Sequence, residues 1–577
     1  MFVADRSVRG RRWRAPQEIP FVAPKGVQGA PAGIAARRGV QDLEAFFRPR
    51  FSQAMPRPDA LTDMVRAAQR TADAIAAGER IGIVGDYDVD GATSTAVVVR
   101  YLESVGHTNL VWRIPRRIEE GYGINSDLVR TMHEGGVRLL VVLDSGTTAI
   151  EPIACARALG VDVVVIDHHE LGDGIPDAIF VNPKRSDRDR PFDFLCSAGL
   201  AFLFVAALTA VLTERGHFAR RSPPDLRSLL GLVALGTIAD VVPLVGLNRV
   251  LVSTGLPILR ENLGIQALLL ATSEQEVTTR SCGFVLGPCI NAAGRIDDMR
   301  IGVDLLLARD AAVAEELAQR LYQLNLDRRA MQQAAVESAL ARVEGGDSGR
   351  AGAIVLRDEN WHPGIVGLVA ARVREAFDRP ALIIGADGKG SARSVDGFHV
   401  GAPVLSAVDR GLMLKGGGHA AAAGFTARAD VESGTIKDHF DAAMEGFVAP
   451  PVTVDLVVSP GGLYPGLVHS FSAIEPFGQG NPRPRVVVAK GTVRKVEVLK
   501  GKHIKAWLSG PDGETSAMAF NAVGTPLGRS LIASEGYAVD AMGTADVNAW
   551  RGTETAYLKI EDVMVEAVVG ARVQEAA

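Results

Sequence analysis

A doubly wound, mainly parallel α/β domain, linked by a long helix to a second α/β domain and followed by a β-rich, OB-like domain, is the fold class these 577 residues predict. Three observations carry it. Residues 59–250 alternate apolar, β-branched runs with helical patterns, as parallel strands and crossover helices do. Residues 307–343 contain no glycine or proline and place Leu317, Leu321, Leu324 and Ala334-Ala335 at helical spacing. Residues 452–570 show partial strand alternation, with turn signals at Lys500-Gly501-Lys502 and Pro511-Asp512-Gly513.

In chain order, residues 1–58 form a basic arm and entry segment. Arg9, Arg11, Arg12 and Arg14 stand close together, and no apolar signal core accompanies them. The expectation is a flexible, solvated tail, with nucleic-acid contact as the rival reading.

Within residues 59–250, the run 81–94 says most about chemistry. An apolar strand pattern ends in Asp86-Tyr-Asp88-Val-Asp90-Gly91, and an apolar helical segment follows. Three carboxylates at one strand end repel one another unless cations neutralise them, and hard divalent metals take carboxylate oxygens. The spacing also fits the opening of an EF-hand loop. That loop needs a glutamate at its twelfth position, which here is Val97. A second apolar run, 139–143, ends in Asp144, and a third, 161–166, ends in Asp167-His168-His169. Adjacent side chains on extended chain point opposite ways, so one histidine can ligate a metal while its neighbour does another task. The segment 235–243 adds Asp240. A lone His-His pair is more often structural. Four such clusters, three of them at strand ends, favour a metal centre at the carboxyl edge of a parallel sheet.

Residues 195–212 carry no charge and are long enough to cross a membrane. Their mid-domain position predicts a buried core helix instead. Residues 251–349 read as a helical connector that places a cleft between two lobes. Residues 350–447 form the second α/β domain, whose glycine-rich loops permit close backbone approach to a phosphate. In residues 452–570, Trp507, Phe520, Trp550 and Tyr557 are candidates for base stacking, about half of them expected to be plain core, and Lys500, Lys502 and Lys505 are candidates for phosphate contact.

The chain is 47% hydrophobic and 22% charged, a globular composition. Cys155, Cys196, Cys282 and Cys289 show no C-x-x-C spacing, so they read as reduced, buried cysteines of a cytoplasmic protein without a zinc site. The net charge of −5 runs against a nucleic-acid binder. It does not exclude one, because a carboxylate cluster becomes cationic in effect once divalent ions bind.

These pieces, in this order, resemble the DHH phosphoesterase superfamily, and within it the RecJ family of single-strand-specific exonucleases. The motif Ile114-Pro115-x-Arg117-x-x-Glu120-Gly121-Tyr122-Gly123 carries the resemblance further, as do Asn291-Ala-Ala-Gly-Arg295 and Trp361-His-Pro-Gly-Ile-Val-Gly367. Gly390-Ser-Ala-Arg-Ser394 and Gly417-Gly-His-Ala-Ala-Ala-Ala-Gly424 resemble the associated DHHA1 domain. Ser145 and Arg116 depart from the asparagines more usual in the family. The resemblance implies two divalent ions, Mn²⁺ or Mg²⁺, held by Asp88, Asp90, Asp144, His168 and Asp240. Asp144 would bridge, and Asp86 would be a ligand or an outer partner. It implies His169 facing the scissile phosphate and Asp167 orienting its neighbours. Arg117, Ser391 and Arg393 are the expected pocket for a terminal 5′-phosphate, with Arg295 and His419 nearer the cleavage point. Implied partners are single-stranded DNA, a RecQ-type helicase and a single-strand-binding protein, for a monomer with no membrane association. Two rivals remain: a phosphodiesterase of nanoRNA or cyclic dinucleotides, which needs no extended strand track, and a non-catalytic DNA-binding scaffold, which would not need the metal ligands.

Overall fold

The computed structural model describes residues 2–3, 5–116, 119–172, 174–185, 192–347, 349 and 351–565. In the first α/β domain, five strands lie parallel in the order Leu110–Arg113, Arg80–Val84, Val137–Leu143, Asp162–Ile166, Ile179–Val181. Strand parity builds two cores. Leu139, Val141 and Leu143 pack on one face, and Leu140 and Val142 on the other. Chain order reverses at Arg80–Val84, whose successors lie on opposite sides of it. Ligand crevices open at such a point beyond the carboxyl ends of the strands.

The apolar helix Ser197–Glu214 is mostly buried, with Leu200, Phe202, Phe204 and Leu208 in the larger core. It is the core helix its mid-domain position predicts. The helix Ala311–Glu344 runs 34 residues, about 50 Å at 1.5 Å per residue. Ala318 and Leu321 join the first domain's core, while Ala335, Val336, Ala339 and Val343 join that of the second. One helix thus completes two cores and fixes the cleft between them.

The second domain is built on a mixed sheet in the order Met413–Gly418, Ala422–Ala427, Lys389–Arg393, Ala381–Ile384, Ile354–Arg357. The C-terminal domain is a five-stranded barrel, closed by pairing of Arg485–Leu499 with Ala538–Trp550. Within it, Ile504, Ala506 and Leu508 point inward.

The N-terminal segment corrects the expectation of a solvated tail. Trp13–Arg14 pairs with Val452–Thr453, and Trp13 is buried. Ile34 and Ala35 of the helix Gly29–Arg37 belong to the barrel's core. Arg38 makes two 2.9 Å bonds to Asp455, and Arg11 reaches Asp378 at 2.7 Å. The arginines read as a solvated run include an anchor. Cys155 is only half-buried, whereas the other three cysteines are buried, and all four are free thiols.

Candidate metal centre

The strand Arg80–Val84 delivers Asp86, Asp88 and Asp90 into a tight turn and the first turn of the helix Val89–Ser104. Gly91 makes that turn possible, since a Cβ there would lie 2.3 Å from the Asp86 carbonyl oxygen. Asp88 caps the helix: its Oδ1 accepts from the amides of Asp90 and Gly91 at 2.9 and 3.1 Å. Asp90 is fully buried. Its two oxygens accept from the amides of Ser197 and Ala198 at 2.7 and 2.8 Å, at the N-terminus of the helix Ser197–Glu214. Asn291 accepts from the Val89 amide at 3.1 Å, and a Cβ on Gly294 would meet the Tyr87 carbonyl oxygen at 2.2 Å. The Asn291–Arg295 motif therefore clamps the acidic turn from the connector side.

Asp144 follows the strand Val137–Leu143 in a left-handed conformation, φ 60°, with only 2% of its surface exposed. Its Oδ1 accepts from the Ser197 hydroxyl at 3.0 Å and lies 3.4 Å from Nε2 of His168. The same Nε2 is 3.6 Å from Asp240 and 3.9 Å from Asp90. Potential ligand atoms fall into compact groups: Asp86, Asp88 and Asp144; Asp90, His168 and Asp240; Asp144, His168 and His169. Asp144 belongs to two of them.

Electrostatics fits this donor set to divalent cations. Burial, then the charge of Asp88, pushes Asp90 up to about 6. Burial and repulsion from Asp90 and Asp88 hold Asp144 and Asp240 well above the usual carboxylate range. Oδ2 of Asp240 is buried without a hydrogen-bond donor among the described residues. Burial, followed by the charge of His169, drives His168 down to about 3, which leaves a neutral imidazole suited to ligation. Oxygen-rich donors with one imidazole suit Mn²⁺ or Mg²⁺.

Asp167 is fully buried and organises the histidines without joining these groups. Its Oδ1 accepts from the amides of His168 and His169 and lies 2.7 Å from Nδ1 of His169; its Oδ2 accepts from Thr147. Burial opposes the charge on Asp167, but bonding to His169 and Thr147 prevails and lowers its pKa. Burial likewise opposes charge on His169, and Asp167 outweighs it, so the imidazole holds its proton above the ordinary range. Tyr122, part of the 114–123 motif but given no role from sequence, has its hydroxyl 3.0 Å from His169 Nδ1 and 3.2 Å from the Asp144 carbonyl oxygen. Asn182, also missed, donates to the His169 carbonyl at 2.9 Å. The two contacts to His169 span 47 and 13 positions of sequence.

Across the cleft, Arg393 donates to the Ser391 hydroxyl at 2.8 Å. Both lie below the N-terminus of the helix Val366–Phe377, where a Cβ on Gly367 would crowd both side chains. Arg295 bonds the Gly364 carbonyl at 2.9 Å, tying the two lobes together. Burial, then the charge of Lys184, lowers the pKa of His419 in the second domain, and Glu170 and His169 of the first domain also act on it. Arg117 lies outside the described residues. A polar cleft of about 770 Å³ runs from Ala239 past Asn291, Arg295, Arg329 and Arg372 to Asn521 of the barrel.

On the barrel, Lys505 stands over the Trp507 ring at 4.5 Å and Lys495 at 5.3 Å. Lys500 and Lys502 occupy the exposed turn beyond them. None of the four barrel aromatics is buried; Phe520 is 51% and Trp550 69% exposed. The expectation that about half were core is overturned. Trp507, Ser516 and Tyr557 are register partners across three strands, on the parity opposite to the core residues.

Three family profiles match this chain: the DHH family, N-terminal domain, over residues 80–237; the DHHA1 domain over 350–446; and the RecJ OB domain over 454–562. The single-stranded-DNA-specific exonuclease RecJ of Escherichia coli is 34% identical, over 92% of this chain and 95% of its own. Its Salmonella typhimurium counterpart is 32% identical, over 97% of this chain and 99% of its own. The crystal structure of RecJ from Thermus thermophilus in complex with Mn²⁺ superposes with a TM-score of 0.80 at 29% identity, covering 96% of this chain and 79% of that one.

Proposed function

From the premise that this chain belongs to the RecJ family of DHH exonucleases, we propose how its residues carry out the reaction. The chain is a metal-dependent, single-stranded-DNA-specific exonuclease that hydrolyses phosphodiester bonds. The observation that carries the residue assignment is Asp144, shared by two ligand groups at the sheet's switch point.

Asp86, Asp88 and Asp144 would hold one ion, and Asp90, His168, Asp240 and Asp144 the other. Two divalent ions supply Lewis acidity and a hydroxide nucleophile near neutral pH when bound. The protein's own groups do the rest. Asp90 is held rigid by two amides, so its oxygens need no reorganisation on binding. His169, its proton held beside Asp167, would donate to a non-bridging phosphate oxygen or to the leaving oxygen. Tyr122 limits the swing of that imidazole.

Direction is assigned to the second domain. Ser391 and Arg393, at a helix N-terminus with glycine neighbours, make a site for a terminal 5′-phosphate. Arg295 and His419 stand nearer the scissile group. Cleavage next to a held 5′ end releases 5′-mononucleotides and runs 5′ to 3′. The strand then follows the arginine-lined cleft toward Trp507, Lys505, Lys502 and Lys500 on the barrel. Digestion of a single strand labelled at either end, with Mn²⁺ or Mg²⁺, tests this reading: mononucleotides must leave the 5′ end first.

The nanoRNA or cyclic-dinucleotide alternative is not favoured, since such substrates leave the barrel and cleft without a task. The scaffold alternative does not account for the assembled ligand groups. A monomer acting in the cytoplasm in DNA repair and recombination, with a RecQ-type helicase to unwind and a single-strand-binding protein to present the strand, fits an exonuclease specific for unpaired DNA.

A further inference from the structure

Away from the metal centre, the entry segment, the first α/β domain and the barrel line an open pocket of about 650 Å³. Its wall is largely apolar and includes Phe46, Phe194, Leu247 and Val250. Into this wall the helix Gly246–Gly255 projects Arg249, whose surface is only 5% exposed. The guanidinium carbon lies 3.9 Å from the Phe46 ring centre. Nη1 donates to the Ile474 carbonyl at 3.1 Å, Nε has no hydrogen-bond partner, and no carboxylate pairs with the group among the described residues. Burial alone depresses its pKa, to about 10. Buried arginines are ordinarily paired, because an uncompensated charge in an apolar setting is costly. A role as an interdomain strut engages one carbonyl and the Phe46 face, which offsets only part of that cost and leaves Nε unpaired among the described residues.

We propose that this pocket binds a small amphipathic carboxylate, its acid group on Arg249 and its aliphatic or aromatic body along the apolar wall. The single buried cation calls for a monoanion. A carboxylate presents two oxygens to one guanidinium edge, whereas a phosphate would leave further oxygens unsolvated against hydrocarbon. Arg38 is already engaged by Asp455 and Asn481, so it does not compete for the ligand. The volume suits a compact organic molecule. Leu244 and Val245, also in the wall, follow Asp240 closely, and the Leu244 amide donates to the Gln479 carbonyl at 2.7 Å. The ligand would rest on the segment joining a metal-centre carboxylate to the barrel.

The test uses the full chain stripped of metal, so that no acid binds by chelation. Octanoate, phenylacetate and benzoate are titrated against octanamide, phenylacetamide and benzamide by saturation-transfer NMR. At least one acid should bind, and its amide about tenfold or more weaker, as loss of a charge-assisted contact requires. Arg249→Met should weaken the acid by a similar factor. Ala45→Trp, which fills the pocket from the entry segment and leaves the guanidinium intact, should weaken the acid at least as much and serves if the first variant does not fold. Equal affinities for acid and amide, acid binding unchanged in a folded variant, or no acid binding up to about 10 mM would each overturn the proposal.

Discussion

Replacing Asp144 with asparagine should abolish hydrolysis yet make the metal-free protein more stable, and the gain should grow with pH. Asp144 is 2% exposed, and burial, with repulsion from Asp90, Asp88, Asp86 and Asp240, holds its pKa well above the ordinary value. The folded carboxyl keeps its proton over a range where the unfolded one has lost it. A group raised on folding contributes stability that is complete below its unfolded pKa and lost as pH climbs toward its folded pKa. Each pH unit in that window costs about 1.4 kcal/mol per proton. Asparagine carries no such proton, and its carbonyl can still accept from Ser197. The variant's advantage should therefore widen as pH climbs above the ordinary carboxylate range, by at most about 1.4 kcal/mol per pH unit, or about 3–6 °C in the melting of a domain this size. Mn²⁺ must invert the order, because binding favours the ionised cluster: the unsubstituted chain should gain much more than the variant. Melts of both proteins from pH 4.5 to 8, with chelator and with Mn²⁺, measure all four arms. A difference independent of pH, or equal stabilisation by metal, would refute the assignment of Asp144 to a repelling, ion-bridging cluster.

Other outcomes follow from the same geometry. Arg393→Ala should reduce the preference for 5′-phosphorylated over 5′-hydroxyl ends by a factor corresponding to about 1.5–3 kcal/mol, read by competition between the two ends; an unchanged ratio removes Arg393 from the end pocket. His169→Gln should lower single-turnover cleavage by about 10²–10⁴-fold while Mn²⁺ affinity, measured calorimetrically, stays near that of the unsubstituted chain. Trp507→Ala should weaken long single strands by about 1–3 kcal/mol and spare oligonucleotides too short to reach the barrel, as affinity against strand length will show. Removing the barrel outright is a poor test of strand grip, because the entry segment packs into its core and would lose its partner.

What could be read from sequence was what neighbours in sequence decide. Strand-end carboxylates are visible because an apolar run and the residue after it are adjacent, and a parallel sheet brings such ends to one edge. Asp86, Asp88, Asp144 and His168 were legible for that reason. The proximity of Tyr122 to His169, the anchoring of Asp90 by two distant amides and the docking of the N-terminal segment were not, since each joins residues separated by tens to hundreds of positions. The barrel aromatics failed differently. Strand parity decides them: Ile504, Ala506 and Leu508 point inward, so Trp507 and Lys505 face outward. Ala556, Leu558 and Ile560 place Tyr557 outward in the same way. Parity thus sorts these two aromatics from core to surface before any coordinates exist. For the carboxylates the sequence supplies the charge but not the free lone pairs. Asp88 spends one oxygen on a helix cap and Asp90 accepts amides at both, whereas Asp240 retains a buried oxygen with no donor among the described residues. That asymmetry makes Asp240 and Asp144 the ligands whose removal should most reduce metal affinity, and Asp90 the one whose removal should also loosen the helix Ser197–Glu214.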